Sequence, residues 1–114
     1  MLPKNKRTEE KYLYAAACMR LADEFLSKAL IAASQLLYAT DSDKLQKARE
    51  TISKYKSKLE DNMFDDGIGR DNTHDYLDVF YGTLRSKPRS EIEVKVQQIA
   101  ADIVREITGG SCDE

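Results

Sequence analysis

The sequence predicts an all-α fold, a single-domain bundle of about four helices. Its 114 residues are enough for one ordinary domain and too few for two. Apolar residues recur at helical spacing over three long segments that contain neither glycine nor proline. Breaks rich in aspartate, glycine or proline separate the segments, whereas strand-like alternation is confined to a few residues around Val94.

The first and longest helix is predicted over residues 9–40, with Thr8 as its N-cap. It carries two adjacent apolar stripes, so we expect it to be the central helix and to contact more than one neighbour. Its polar residues, Arg20 among them, occupy a face that is narrower than the apolar one. The second of the two stripes contains Tyr14, Cys18, Leu21, Phe25 and Ala32.

Three further helices complete the prediction. The second spans residues 43–64, after a break and N-cap in the run 41–43. A short third helix spans 72–85 and follows an acidic loop containing Gly67 and Gly69. The fourth spans 91–108, and Ser90 with Glu93 forms its capping box. We expect the domain to cover 9–108, with a flexible N-terminus at 1–8 and a disordered tail at 109–114.

Charge and cysteine content indicate a soluble cytoplasmic protein. The chain has 18 basic and 20 acidic residues, and this net charge of −2 gives no global attraction to nucleic acid or anionic lipid. No apolar run reaches the roughly 20 residues that span a bilayer, and the basic start is not followed by a signal-peptide core. Cys18 and Cys112 lack disulfide or zinc spacing. We therefore expect free thiols, no membrane association, no metal site and no cofactor.

The second helix carries a candidate nucleic-acid-binding face. Residues 44–58 contain six basic side chains against Glu50 alone, a local charge of +5. Such a face can follow a phosphate backbone. An ordinary solvated helix face accounts for it better, because lysine favours helices and neither an arginine-rich face nor a stacking aromatic is expected beside it. The lysines on one stripe are Lys44, Lys47, Lys54 and Lys58.

The acidic loop and the aromatic third helix form a candidate partner-binding surface. Adjacent acidic and exposed aromatic side chains are typical of protein interfaces. The alternative is that the loop folds back and covers the aromatic residues. The candidate residues are Asp65, Asp66, Tyr76, Phe80 and Tyr81.

The segment from Arg70 to Tyr76, with Arg70 and His74 near its ends, resembles the Arg-polar-x-x-x-His signature of HEPN helical ribonuclease domains. The resemblance implies an RNA-cleaving site formed by Arg70 and His74, with Asp71 or Asn72 as the polar helper. The gap between Arg70 and His74 is one residue shorter than the shortest gap of that family.

Together these features predict a small non-enzymatic protein that acts by binding another protein or itself, as an inhibitor, immunity protein, chaperone or regulator. Self-association would use the alanine-rich first helix. The alternative is a nucleic-acid-binding protein that uses the basic helix, with an HEPN-like ribonuclease as one version of it.

Overall fold

The computed structural model describes residues 1–71, 73–77, 79–81, 87–88 and 90–109, and of His74 only the backbone. Within these residues the fold is all-α, as predicted, and no strand occurs. Three long helices, α1, α2 and α4, form the fold, and α1 packs against both of the others, which confirms its central place. The helices are α1 (Glu9–Ser34), α2 (Ala39–Asp65), the single turn α3 (Thr73–Tyr76) and α4 (Glu91–Ile107).

The predicted number of about four helices is slightly too high. In place of a helix over 72–85, the described residues contain only the single turn α3 and further turns at 77 and 79–81, while Asn72, Asp78 and 82–86 lie outside them. After α3 the Val79 amide donates to the Tyr76 carbonyl in a turn, Val79 and Phe80 are fully buried, and the Val79 carbonyl accepts a hydrogen bond from Arg20.

The boundary between α1 and α2 lies earlier than predicted. Helix α1 ends at Ser34, and Leu36 donates its amide to the Ala33 carbonyl in the turn that follows. Helix α2 then begins at Ala39, with Tyr38 as an N-cap that offers no side-chain acceptor. The predicted cap at 41–43 instead lies inside the first turns of α2. The carboxylate of Asp41 still stabilises the helix there, because it lies near the positive end of the helix dipole.

The other helix ends follow the predicted chemistry. The Thr8 hydroxyl accepts from the Lys11 amide at 3.3 Å, and the Ser90 hydroxyl accepts from the Glu93 amide at 3.3 Å. At the end of α2, Gly67 has φ +86, and the amides of Gly67 and Ile68 donate to the carbonyls of Phe64 and Met63. This is a Schellman motif, and its left-handed position favours glycine.

The buried core occupies only one end of the α1–α2 hairpin. On α1 the buried residues all lie between Tyr12 and Leu21, and on α2 only Lys56 and Met63 are buried. Nothing from Ala22 to Tyr55 is buried. We call residues 22–55 the distal hairpin. The apolar core consists of Tyr12, Leu13, Ala16, Ala17, Leu21, Met63, Tyr76, Val79, Phe80, Ile92, Val96, Ala100 and Ile103.

Arg20, expected on the polar face of α1, is instead buried at the centre of this core, with 2% of its surface exposed. Its Nε donates to the Val79 carbonyl at 2.7 Å, and its Nη2 lies 3.9 Å from Oε1 of the buried Glu93 on α4. Burial lowers the pKa of the Arg20 guanidinium, and the Glu93 carboxylate opposes that shift. Arg20 therefore joins α1 to α4 and to the turn at 79.

We expect Arg20→Met to lower the free energy of unfolding by about 3–5 kcal/mol, because it removes the guanidinium that the Val79 carbonyl and the buried Glu93 carboxylate both contact. Urea denaturation measures this loss. The control is Arg49→Met, which removes a pair between partly exposed groups and changes stability by about 1 kcal/mol or less. The double variant Arg20→Met/Glu93→Leu should recover part of the loss, and a double variant no more stable than Arg20→Met would contradict this account.

Candidate functional site

In the acidic loop, Asp66 is engaged inside the molecule. Its carboxylate accepts a hydrogen bond from the Tyr12 hydroxyl and lies 3.4 Å from Nη2 of Arg7, and its side chain is 6% exposed. Asp66 therefore fastens the end of α2 to the start of α1. Asp65, beside it, is exposed and stays accessible to a partner.

The predicted aromatic surface is divided between core and solvent. Tyr76 and Phe80 are 4% and 0% exposed, whereas Tyr81 is 44% exposed and Leu77 46%. The Tyr76 hydroxyl donates to Oε2 of Glu9 at 2.6 Å. The sequence left open whether these aromatic residues are exposed or are covered by the loop. Tyr76 is covered, and Tyr81 is exposed.

The loop reaches Tyr76 at Gly69. This residue is buried with φ +78, and a Cβ placed on it would lie 2.9 Å from Cδ2 of Tyr76. A side chain here would meet both backbone strain and the aromatic ring. The two glycines of the loop thus have separate roles, because Gly67 ends α2 and Gly69 admits the ring of Tyr76.

The two tyrosine–carboxylate hydrogen bonds predict a loss of stability at alkaline pH. Burial, reinforced by the adjacent carboxylates, raises the pKa of Tyr12 to about 12 and that of Tyr76 to about 12. The folded chain keeps protons that the unfolded chain releases near pH 10, so the free energy of unfolding falls as the pH rises from 10 towards 12. Below pH 10 this contribution is fully present.

Urea denaturation at a series of pH values up to about 11 measures this decline. Tyr12→Phe and Tyr76→Phe should each make it shallower and lower stability at neutral pH by about 1 kcal/mol. Tyr38→Phe, at a ring that is 84% exposed, is the matched control and should leave the pH profile unchanged. Equal profiles for Tyr12→Phe, Tyr76→Phe and Tyr38→Phe would refute the assignment.

The basic residues of α2 separate into an inner and an outer group. Arg49 and the buried Lys56 both lie 3.5 Å from the Asp23 carboxylate of α1, so they share one ion-pair partner within the hairpin. The predicted lysines are all exposed, and none forms an ion pair with another described residue: Lys44, Lys47, Lys54 and Lys58.

Tyr55 adds an aromatic side chain to this outer face, contrary to the expectation that none accompanies the lysines. Its ring is 46% exposed, and the ammonium groups of Lys54 and Lys58 lie 5.7 and 5.9 Å from the ring centroid. The alternation of Tyr55 with lysines was readable in the sequence, but its exposure was not, since Tyr55 fits the apolar stripe of the helix.

The distal hairpin exposes large apolar side chains, among them Phe25, which the sequence pattern placed on an apolar stripe of α1 expected to contact a neighbour. Ile31 is 68% exposed and Phe25 54%. The turn between the helices exposes 86% of Leu36, 43% of Leu37 and 84% of Tyr38. Large exposed apolar patches on a small domain mark interaction surfaces. This candidate surface was missed because helical periodicity places residues on a common face without showing whether anything covers that face.

The residues of the HEPN-like segment are only partly described. Arg70 is exposed, and its amide donates to the Gly67 carbonyl at 3.3 Å. The side chain of His74 and the whole of Asn72 lie outside the described residues. The convergence of Arg70 and His74 on one phosphate therefore stays a prediction.

Small grooves lie beside α1 in the described part of the chain. One of about 220 Å³ lies between the N-terminal segment and the α1–α2 pair, where Leu2, Ala15 and Leu59 contribute apolar surface. Arg7 lines it, but this guanidinium is paired with Asp66. A second groove, between α1 and α4, lies beside Leu13, Val94 and Ile99. The second groove is also lined by polar side chains, those of Glu9, Glu10, Lys95 and Gln98.

Across the described part of the chain, no group of three or more histidine, cysteine, aspartate or glutamate residues could hold a metal ion. No helix there is both long and apolar enough to cross a bilayer. Cys18 is a free thiol, and burial raises its pKa. Comparison with protein families, characterised proteins and solved structures finds no match to this chain.

Proposed function

We propose that this chain is a non-enzymatic protein-binding module, of the inhibitor, immunity, chaperone or regulatory type, that docks its partner on the distal hairpin. One observation carries the proposal: no side chain from Ala22 to Tyr55 is buried, although this stretch includes several large apolar residues. A protein partner is the occupant that such surface favours, because burying it gains roughly 25 cal/mol per Å² of apolar area.

The acidic and aromatic surface contributes less to this proposal than the sequence suggested. Asp66, Tyr76 and Phe80 are committed to contacts inside the domain, so a partner at this surface would meet Asp65 and Tyr81 instead. The distal hairpin offers a larger apolar area. We therefore assign it the main docking role.

An affinity capture experiment tests the docking surface. Ile31→Glu and Leu36→Glu place charges on the distal hairpin and should reduce the recovery of specific partners by about tenfold or more, since a charge inside an apolar interface is strongly unfavourable. The matched control is Val94→Glu, which changes an exposed aliphatic residue of α4. Tyr81→Ser examines the aromatic surface. If Ile31→Glu and Leu36→Glu recover the same partners as the parent chain, the distal hairpin is ruled out as the docking surface.

A second candidate function is nucleic-acid binding by α2, and the exposed ring of Tyr55 between lysines is the observation that favours it. Four exposed lysine ammonium groups can neutralise phosphates, and an exposed aromatic ring gives a base a surface on which to stack. In the HEPN-like version, Arg70 and His74 would act on the RNA backbone.

Fluorescence anisotropy with single-stranded RNA and DNA at low salt tests this candidate. Lys47→Glu and Lys54→Glu should weaken binding. Lys54→Ala should reduce the slope of log K against log salt concentration by about one, because one counterion fewer is released. Tyr55→Ala should weaken binding without changing this slope. Lys28→Glu, at an exposed lysine of α1, is the control. If the parent chain does not bind RNA or DNA, this function is excluded. If the parent chain does not cleave RNA, or if His74→Ala cleaves RNA as well as the parent, the ribonuclease is excluded.

A further inference from the structure

The third face of α1 is apolar and open. Asp23 points to Arg49 and Lys56 of α2, and Arg20 points to Glu93 of α4. With 3.6 residues per turn, Phe25 lies more than a third of a turn around α1 from both Asp23 and Arg20. The same side of α1 carries an uncharged row that we call the outer stripe: Tyr14, Cys18, Phe25, Ala29 and Ala32.

The outer stripe is accessible along most of its length. Tyr14 is 51% and Phe25 54% exposed, Ala29 and Ala32 are exposed, and Cys18 is half-buried. These five residues fall within an arc of about 60° and extend over about 27 Å of helix. Their spacing keeps the row on one side of α1, as the seam of a helix pair requires.

We infer that the occupant of this stripe is a second copy of the chain, with the two α1 helices packed antiparallel about a two-fold axis. This inference rests on the proposed function, since it names the partner of the same hairpin. A two-fold interface uses one patch on both subunits, so that patch must be compatible with itself. The five residues of the outer stripe are uncharged, and the exposed Lys28 lies beside them, about 40° around α1 from Ala32. The interface is compatible with its own copy because the long stem of Lys28 lets its ammonium group point away from the two-fold axis into solvent.

The sizes of the side chains also match in an antiparallel arrangement. The large residue Phe25 lies towards one end of the distal part of the stripe, and the small residues Ala29 and Ala32 lie towards the other. Antiparallel pairing places Phe25 of each copy against these alanines of the other, and alanine allows the two helices to approach closely. The turn at 36–38 of one copy then lies near Tyr14 and Cys18 of its partner.

The apolar area is sufficient for a stable dimer. Five large side chains account for most of this area, with 51% of Tyr14, 54% of Phe25, 86% of Leu36, 43% of Leu37 and 84% of Tyr38 exposed. At roughly 200 Å² for each complete side chain, they leave roughly 600 Å² in water. A standard interface buries about 800 Å² per partner, of which somewhat more than half is apolar. The basic outer face of α2 could not pair with itself in this way, because like charges would oppose each other.

Sedimentation equilibrium of the full chain over micromolar to submillimolar concentrations tests the inference. The parent chain should reach twice its monomer mass of 13.0 kDa. Phe25→Glu and Ala29→Glu should raise the dimer dissociation constant by about tenfold or more. The matched control is Ala48→Glu, the same substitution at an exposed alanine of α2. Circular dichroism confirms that each variant is folded.

The outcomes separate this inference from the proposed function. If the parent chain stays monomeric, the second copy is overturned as occupant. The same holds if Ala29→Glu raises the dimer dissociation constant no more than Ala48→Glu does. If the chain is monomeric and Phe25→Glu still loses a partner protein in affinity capture, the docking surface stands and only its occupant changes. If the chain is monomeric and no distal-hairpin variant loses a partner, both proposals are overturned.

Discussion

The buried guanidinium of Arg20 is the constraint on which the packing of this fold depends. A charge that is 2% exposed is tolerable only where hydrogen bonds and an opposite charge replace water. The Val79 carbonyl and the Glu93 carboxylate supply them, so α1, α4 and the turn at 79 must meet at one point. That meeting point lies beside Val79 and Phe80, which are both in the core.

The position of Arg20 also explains why the domain is less compact than its length suggests. Helix α4 has 17 residues and α1 has 26, so α4 covers only about 26 of the 39 Å of α1. Because Arg20 and Glu93 place α4 beside the first half of α1, the remainder of the hairpin extends beyond the core. The radius of gyration, 15.9 Å, exceeds the roughly 13 Å typical of a chain of this length.

Local chemistry was readable from the sequence, and burial was not. Thr8, Ser90 and Gly67 act where their types predict, because capping depends on residues adjacent in the chain. Arg20 was assigned to a polar face because the periodicity of α1 shows only that the residue is charged. It does not show that an opposite charge meets it in the core, since Glu93 lies 73 positions away in the sequence. The turn after Ser34 has no glycine or proline and was missed. The exposure of the distal hairpin depends on the length of α4, which no local pattern in α1 reveals.

The turn between α1 and α2 has a consequence for local unfolding. Tyr38 caps α2 without a side-chain acceptor, and the surrounding helix ends have no buried side chain to hold them. Opening this end breaks backbone hydrogen bonds but exposes little new apolar surface, so its free energy lies far below that of global unfolding. Amide protons at 25–55 therefore exchange with solvent faster than those of the core segments 12–21 and 92–103, and a partner that covers the hairpin slows that exchange.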